Sequence, residues 1–190
     1  MEKYNQEKIN FEKIFSKCLS VVEEKIEKYG FSWRIFRPPS ITDQIYIKAK
    51  RIRTVQEEGN LVEEDQVETI TSIINYSIFH QIQRKLNPTN TPEDLNNDNL
   101  NTFKEYYNEI ASETTHLMEK KNNDYGEAWR ELRLTSITDL ILVKLFRIKQ
   151  LETKLSDGPL EESDCLVIED EISSNYFDII NYSVFLLQKL

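Results

Sequence analysis

Apolar residues recur at intervals of three and four along most of the chain, the spacing of one face of an α-helix. In the first segment they are Phe11, Ile14, Phe15, Cys18, Val22 and Ile26. The pattern predicts six helices, two of which begin at Ser40 and Ser136 while the others span about 6–28, 62–86, 102–123 and 165–189. Only four glycines and five prolines occur in 190 residues, which favours helices over sheets. The sequence therefore predicts an all-α fold.

Several helix starts carry capping patterns. A Ser-x-x-Asp sequence at Ser40, repeated at Ser136, could supply a serine oxygen to a free backbone N–H and an acid to the positive end of the helix dipole. Pro38 and Pro39 precede the first of them and oppose helix propagation backwards. Thr102 opens a Thr-x-x-Glu capping box. These patterns predict that the helices begin at those residues.

The chain repeats itself. Residues 29–53 align with 125–149 without a gap at an offset of 96, with 13 identities in 25 positions. Residues 73–79 recur as 179–185 at an offset of 106, with six identities in seven. The second copy thus has ten extra residues, which we predict to lie in a loop around 154–159 because Ser, Asp, Gly and Pro cluster there.

This repeat defines the domain organisation. Residues 1–86 form the first copy and 102–190 the second, and 87–101, rich in Asn, Asp and Pro, form a linker. Three amphipathic helices bury their apolar faces poorly by themselves. We therefore expect the tandem three-helix units to form a six-helix bundle with a pseudo-two-fold axis, with the helices of Asn75 and Asn181 near its centre.

Composition and charge limit the classes of function and partner that this chain can have. A net charge of -9 argues against an extended nucleic-acid surface, which needs a large basic footprint. Cys18 and Cys165 form neither a disulfide framework nor a metal pair, and His80 and His116 are isolated and predicted to be structural. No apolar run reaches membrane-spanning length and the N-terminus lacks a signal-peptide core, so we expect a cytoplasmic protein without a membrane partner. Association of chains into a homo-oligomer stays open.

The second copy has the fuller acidic set. Asp124 aligns with Lys28 of the first copy, and Asp178 aligns with Ser72. Asp178 and Glu171 are seven residues apart, about two turns of one helix, and so share a stripe. Carboxylates are hard ligands suited to Mg²⁺. The prediction is a magnesium site formed by Glu171, Asp178 and Asp124, with Asp124 and Asp178 catalytic; the alternative is a solvated polar face.

Basic and aromatic residues of the second copy recur in the first. Lys144 and Arg147 share a helix face and could clamp phosphates, with Tyr and Trp stacking on a base. The recurring candidates are Tyr125, Trp129, Arg130, Arg133, Lys144 and Arg147. The alternatives are a core Trp that anchors the loop, and an Arg147 buried against Asp139, Asp170 or Asp178.

Longer motifs bring a family resemblance. The stretches 121–130, 136–150 and 175–182 closely resemble the second half of the nucleotide modification associated domain family, type one. Tyr29-Gly30, Trp33-Arg34 and Ile74-Asn75-Tyr76-Ser77 look like the leading copy of that family. The resemblance covers nearly the whole chain except the linker. It implies an association with nucleotide or base modification and a nucleotide or modified nucleotide as partner.

A more distant resemblance is to the MazG-like all-α nucleoside triphosphate pyrophosphatases. Some of them read Tyr-Gly, Lys-x-x-Arg and Asp-x-x-Gly-Tyr, and the last motif is similar to Asp178-x-x-Asn181-Tyr182. This adds Asn181 to the nucleotide-binding candidates and implies Mg²⁺-dependent cleavage of the α–β phosphate bond. The second copy lacks their Glu-x-x-Glu motif. The hypotheses are a nucleotide-binding protein with pyrophosphohydrolase-like chemistry or a non-catalytic scaffold, and whether it is an enzyme stays open.

Overall fold

The computed structural model describes residues 2–59, 65–86 and 100–190, which form six α-helices and two short 3-10 turns. The helices are α1 (Glu2–Tyr29), α2 (Pro38–Glu58), α3 (Gln66–Lys85), α4 (Leu100–Tyr125), α5 (Leu134–Ser156) and α6 (Glu162–Lys189). The 3-10 turns, Ser32–Ile35 and Ala128–Glu131, join the first and second helices of each copy. The all-α prediction and its duplicated three-helix unit are confirmed.

The predicted capping residues are wrong. Helix α2 begins at Pro38 and α5 at Leu134, so Ser40 and Ser136 lie inside the first turn. No side chain caps either helix. A proline is tolerated in the first turn because its missing N–H would have had no intrahelical partner there. Thr102 likewise lies inside α4, which starts at Leu100.

The chain turns between α5 and α6 at 157–161, which overlaps the loop predicted around 154–159, but most of the ten extra residues lengthen the helices. Helix α6 has 28 residues where α3 has 20, and α5 has 23 where α2 has 21. The first turn of α6 carries Glu162 and Asp164, whose charges favour a helix N-terminus. Of the predicted linker, 87–99 lies outside the described residues, and Leu100 and Asn101 belong to α4.

The two copies share one core about a pseudo-two-fold axis. Each helix packs on its own counterpart: α1 on α4, α2 on α5 and α3 on α6. At the α3–α6 contact, the amide of Gln81 donates to the Ser173 carbonyl while the Ser173 hydroxyl donates back to Gln81, both at 2.8 Å. Asn75 and Asn181 are buried on these helices. The expectation that both asparagine helices lie near the centre is confirmed.

The Tyr-Gly and Trp-Arg motifs build the turn that ends the first helix of each copy. Gly30 and Gly126 have φ near +60°, the left-handed conformation that closes a helix C-terminus and that glycine adopts without strain. The turn then folds a tryptophan back onto the third helix. Trp33 stacks on Phe79 with ring centroids 4.4 Å apart, and in the second copy Trp129 stacks on Phe185 in the same way.

None of the helices in the described part of the chain has the length and apolar content needed to cross a bilayer.

Candidate functional site

Each copy has a cavity beside its 3-10 turn. In the second copy α4, α5 and α6 all line it, whereas in the first copy the lining comes from α1, α3 and the turn. The second-copy cavity has a volume of about 380 Å³, and its equivalent in the first copy about 460 Å³. Most lining positions correspond through the repeat, but Lys144 lines the second-copy cavity while its counterpart Lys48 does not line the first. The polar and aromatic lining of the second-copy cavity consists of Lys121, Asn122, Tyr125, Trp129, Lys144, Asp178, Asn181, Tyr182 and Phe185.

Two lysines converge on Asp178 in the second-copy cavity. The Lys144 ammonium lies 2.8 Å from one carboxylate oxygen of Asp178, and Lys121 pairs with the other. Asp178 is only 8% exposed, and these contacts offset the cost of burying its charge. In the first copy Ser72 takes the place of Asp178, and the Lys48 ammonium lies 5.9 Å from the Tyr76 ring centroid. Two lysines on one aspartate leave the second-copy site with one positive charge in excess.

The two asparagines differ in their hydrogen bonding. In the first copy the Asn75 amide donates to the Cys18 carbonyl at 3.1 Å and accepts from the Tyr107 hydroxyl at 2.8 Å. Asn181 is 3% exposed, yet neither atom of its amide has a partner among the described residues. The repeat aligns Tyr107 of the second copy with Phe11 of the first, which has no hydroxyl to offer Asn181. An unpaired buried amide costs about 1–3 kcal/mol, so Asn181 gains from a ligand that supplies the missing partners.

The structure uses Trp129 and Arg130 for packing. Trp129 is 7% exposed and stacks on Phe185 with centroids 4.2 Å apart and planes 6° from parallel. The Arg130 guanidinium lies 4.5 Å from the Trp129 ring centroid and pairs with Glu7 of α1 and with Glu127. Trp129 is thus packed as a core residue and also lines the cavity, so its role in nucleotide binding stays a prediction. Tyr125, 72% exposed at the cavity rim, remains open for stacking.

Arg147 is not buried against any of the three acids named for it. Its guanidinium lies 2.7 Å from Glu171, and the two side chains are 48% and 42% exposed. Neither Arg147 nor Glu171 lines the cavity, whereas Lys144 does. The structure therefore separates Arg147 from Lys144. Arg133 is exposed at the N-cap position of α5, also outside the lining. The phosphate clamp therefore stays a prediction, with only its lysine at the cavity.

The three predicted magnesium ligands are not brought together. Asp124 is exposed outside the cavity lining, Glu171 is held by Arg147, and Asp178 is held by two lysines. Within the described ranges, no three His, Cys, Asp or Glu side chains form a group that could hold a metal. These residues do not fit a resident Mg²⁺ ion in this arrangement, and the magnesium site stays a prediction.

Sequence reasoning misses two residues that matter for this site, Lys121 in the cavity lining and Phe11 behind it in the core. Lys121 is absent from the predicted set, although Lys25 occupies the same position in the first copy and this recurrence is a usable signal. Phe11 is predicted only as a core residue. The second copy has Tyr107 at the position equivalent to Phe11. Only the structure shows that the Tyr107 hydroxyl bonds to an asparagine, and so that this difference affects the asparagine's hydrogen bonding.

Two copies of a three-helix unit, each with a cavity walled by its tryptophan turn, define an all-α tandem-repeat protein. The model of nucleotide modification associated domain 1 matches the chain twice, at residues 25–84 and 121–190, and the chain belongs to that family. The matches span each copy from the end of its first helix through its third. Comparisons with curated proteins and with solved structures gave no match, and nothing in them reproduced the MazG-like resemblance.

Proposed function

We propose that the second-copy cavity binds a nucleotide or modified nucleotide, with the base against Asn181 and the phosphates on Lys121 and Lys144. The observation that carries the proposal is the buried Asn181 amide, which lines the cavity without a hydrogen-bond partner in the described structure. Membership in a family described by its association with nucleotide modification supports the same class of ligand.

The cavity wall suits a base. A carboxamide offers one acceptor and an N–H donor side by side, and the edge of a nucleobase presents a donor and an acceptor in the same way; asparagine pairs with adenine like this in DNA recognition. Tyr125 and Tyr182 line the cavity and provide rings for stacking. A volume of about 380 Å³ falls within the usual range for small-ligand sites.

The charges suit a phosphate group. Lys121 and Lys144 are partly exposed, at 45% and 29%, and share a single carboxylate. A phosphate that approaches the rim can take one ammonium group while the other stays on Asp178, so Asp178 keeps a partner. Such a local cationic excess attracts anions to the cavity although the chain has a net charge of -9.

The proposed function is nucleotide binding and does not include hydrolysis of the nucleotide. Hydrolysis through the predicted magnesium ligands would require Asp124 and Glu171 to move to the cavity. The non-catalytic scaffold remains the rival and predicts that no nucleotide binds. Including Mg²⁺ and a pyrophosphate readout in the binding experiment tests hydrolysis at the same time.

The test is calorimetric titration with canonical and modified nucleoside triphosphates, with inorganic triphosphate as the ligand that lacks a base. Lys121→Gln should weaken the affinity about 10- to 150-fold, the loss of one charged hydrogen bond of roughly 1.5–3 kcal/mol. Lys25→Gln, the matched change in the first copy, should leave affinity unchanged. Equal losses from both variants, or no binding by any nucleotide, would overturn the proposal.

A further inference from the structure

A separate cavity of about 420 Å³ lies at the seam between the copies. It is formed by the start of α2, the end of α3, the end of α5 and the N-terminal half of α6. The lining residues that matter are Pro38, His80, Gln83, Glu152, Leu155 and Glu169. None of them lines the proposed nucleotide cavity.

A buried hydrogen-bond chain ends on Glu152 at this seam cavity. The Thr42 hydroxyl donates to the Glu152 carboxylate at 2.5 Å and lies 2.7 Å from the Tyr176 hydroxyl. Because Thr42 has one hydroxyl proton and gives it to Glu152, Tyr176 must donate to Thr42. The chain therefore points its protons toward Glu152, which acts as the acceptor at its end.

Two further side chains of the seam cavity have buried polar atoms without partners among the described residues. Nδ1 of His80 is one; this imidazole is 7% exposed and stacks on Tyr176 with centroids 3.9 Å apart. Oε1 of Gln83 is the other; this side chain is 2% exposed, and its amide nitrogen donates to the Phe36 carbonyl at 2.7 Å. Gln83 therefore has an unused acceptor with a fixed orientation.

The repeat shows that the fold does not require these polar groups. At the equivalent places on the other side of the axis, Leu186 stands for His80 and Ile70 for Tyr176, and both are fully buried. The counterpart of Glu152 is the uncharged Gln56. The places of His80 and Tyr176 are thus filled by apolar side chains on the other side of the axis, so packing alone does not explain why polar groups are buried here.

We propose that the seam cavity binds a small organic cation carrying a guanidinium or primary ammonium group. The site offers acceptors, the Gln83 carbonyl oxygen and the Glu152 and Glu169 carboxylates, and a guanidinium or ammonium offers only donors. Arg84, the cationic side chain in this lining, is engaged by Asp170. Pro38 and Leu155 provide apolar wall for an alkyl chain.

The test is calorimetric titration of the full chain with agmatine, putrescine and spermidine at low ionic strength, with NaCl at the same ionic strength as reference. At least one of these cations should bind to a single site, and Glu152→Gln should weaken its binding tenfold or more. Glu162→Gln, which removes an exposed acid outside the cavity, should leave the binding unchanged.

Two results would overturn the proposal. One is the absence of binding by all three cations. The other is equal binding to wild type and Glu152→Gln, which would show general attraction to the net negative charge. If Glu152→Gln does not fold, Leu155→Trp serves in its place, because a large ring on a half-buried wall position fills the cavity and should abolish binding.

Discussion

Replacing Phe11 by Tyr should install in the second copy the hydrogen bond that the first copy already has. The hydroxyl of Tyr107, from the second copy, donates to Asn75 of the first copy at 2.8 Å. Phe11 holds the equivalent position, and its ring contacts Phe185, one turn from Asn181, at a centroid distance of 5.8 Å. A hydroxyl added there is expected to reach the Asn181 carbonyl oxygen.

Two hydrogen bonds set the expected changes in stability and in nucleotide affinity. Phe11→Tyr forms one within the protein, and a bound nucleotide loses the one that it would make to Asn181. Phe11→Tyr should raise the free energy of unfolding by about 0.5–1.5 kcal/mol, the net value of one intramolecular hydrogen bond. The reciprocal change, Tyr107→Phe, should lower it by about 1–3 kcal/mol because it leaves Asn75 unpaired. In Phe11→Tyr the new hydroxyl occupies Asn181, so nucleotide affinity should fall by about 1–3 kcal/mol, or roughly 5- to 150-fold. Tyr107→Phe should leave nucleotide affinity unchanged.

Urea denaturation gives the stabilities and calorimetric titration gives the affinities. The reasoning is refuted if Phe11→Tyr is more stable and yet binds nucleotide as wild type does, since Asn181 would then be irrelevant to the ligand. It is refuted as well if Tyr107→Phe weakens binding as much as Phe11→Tyr. If Phe11→Tyr is destabilised by overpacking, Asn181→Leu replaces it as the variant that removes the amide.

Three further predictions concern stability. Burial lowers the pKa of His80 from 6.5 to about 3. As the pH falls, the unfolded chain therefore binds this proton before the folded protein does. The free energy of unfolding, at its full value above pH 6.5, should decrease by about 1.4 kcal/mol per pH unit between pH 6.5 and 3. His80→Leu should remove that slope and His116→Leu, at an exposed site, should not; parallel curves for wild type and His80→Leu would contradict this. Glu7→Ala should cost about 1–3 kcal/mol in urea denaturation, because it removes the acceptor of the Gln188 amide at 2.7 Å and one of the two partners of the half-exposed Arg130; a loss no larger than that of exposed Glu12→Ala would refute it. Arg147→Ala should cost less than about 1 kcal/mol, since its pair with Glu171 is half exposed, and nucleotide affinity should not change; a tenfold loss of affinity at unchanged stability would restore Arg147 as a phosphate ligand.

The helices and the duplication could be predicted because their signals are local. The apolar spacing in 6–28 and the identities between 29–53 and 125–149 need no knowledge of distant contacts. Helix ends were less predictable. A Ser-x-x-Asp sequence is compatible with a cap at Ser40 and with a first turn that starts at Pro38, and only the path of the preceding chain decides between them.

The candidate site was predicted in part. Tyr125, Lys144, Asp178 and Asn181 do line one cavity, and all four belong to the second copy. Arg147 does not join Lys144 there, although the two share a helix face. One turn of helix places Lys144 toward Asp178 and Arg147 toward Glu171, and such a divergence depends on the neighbouring helix.

By itself, therefore, the sequence determined an all-α chain, its duplication and the copy that carries the extra acids. These properties follow from periodicity and internal identity, which are local properties of the chain. The tertiary structure alone decided which buried polar groups are paired and which have no partner among the described residues. The partners come from the other copy, as Tyr107 does for Asn75, and no local pattern records that Phe11 leaves Asn181 unpaired.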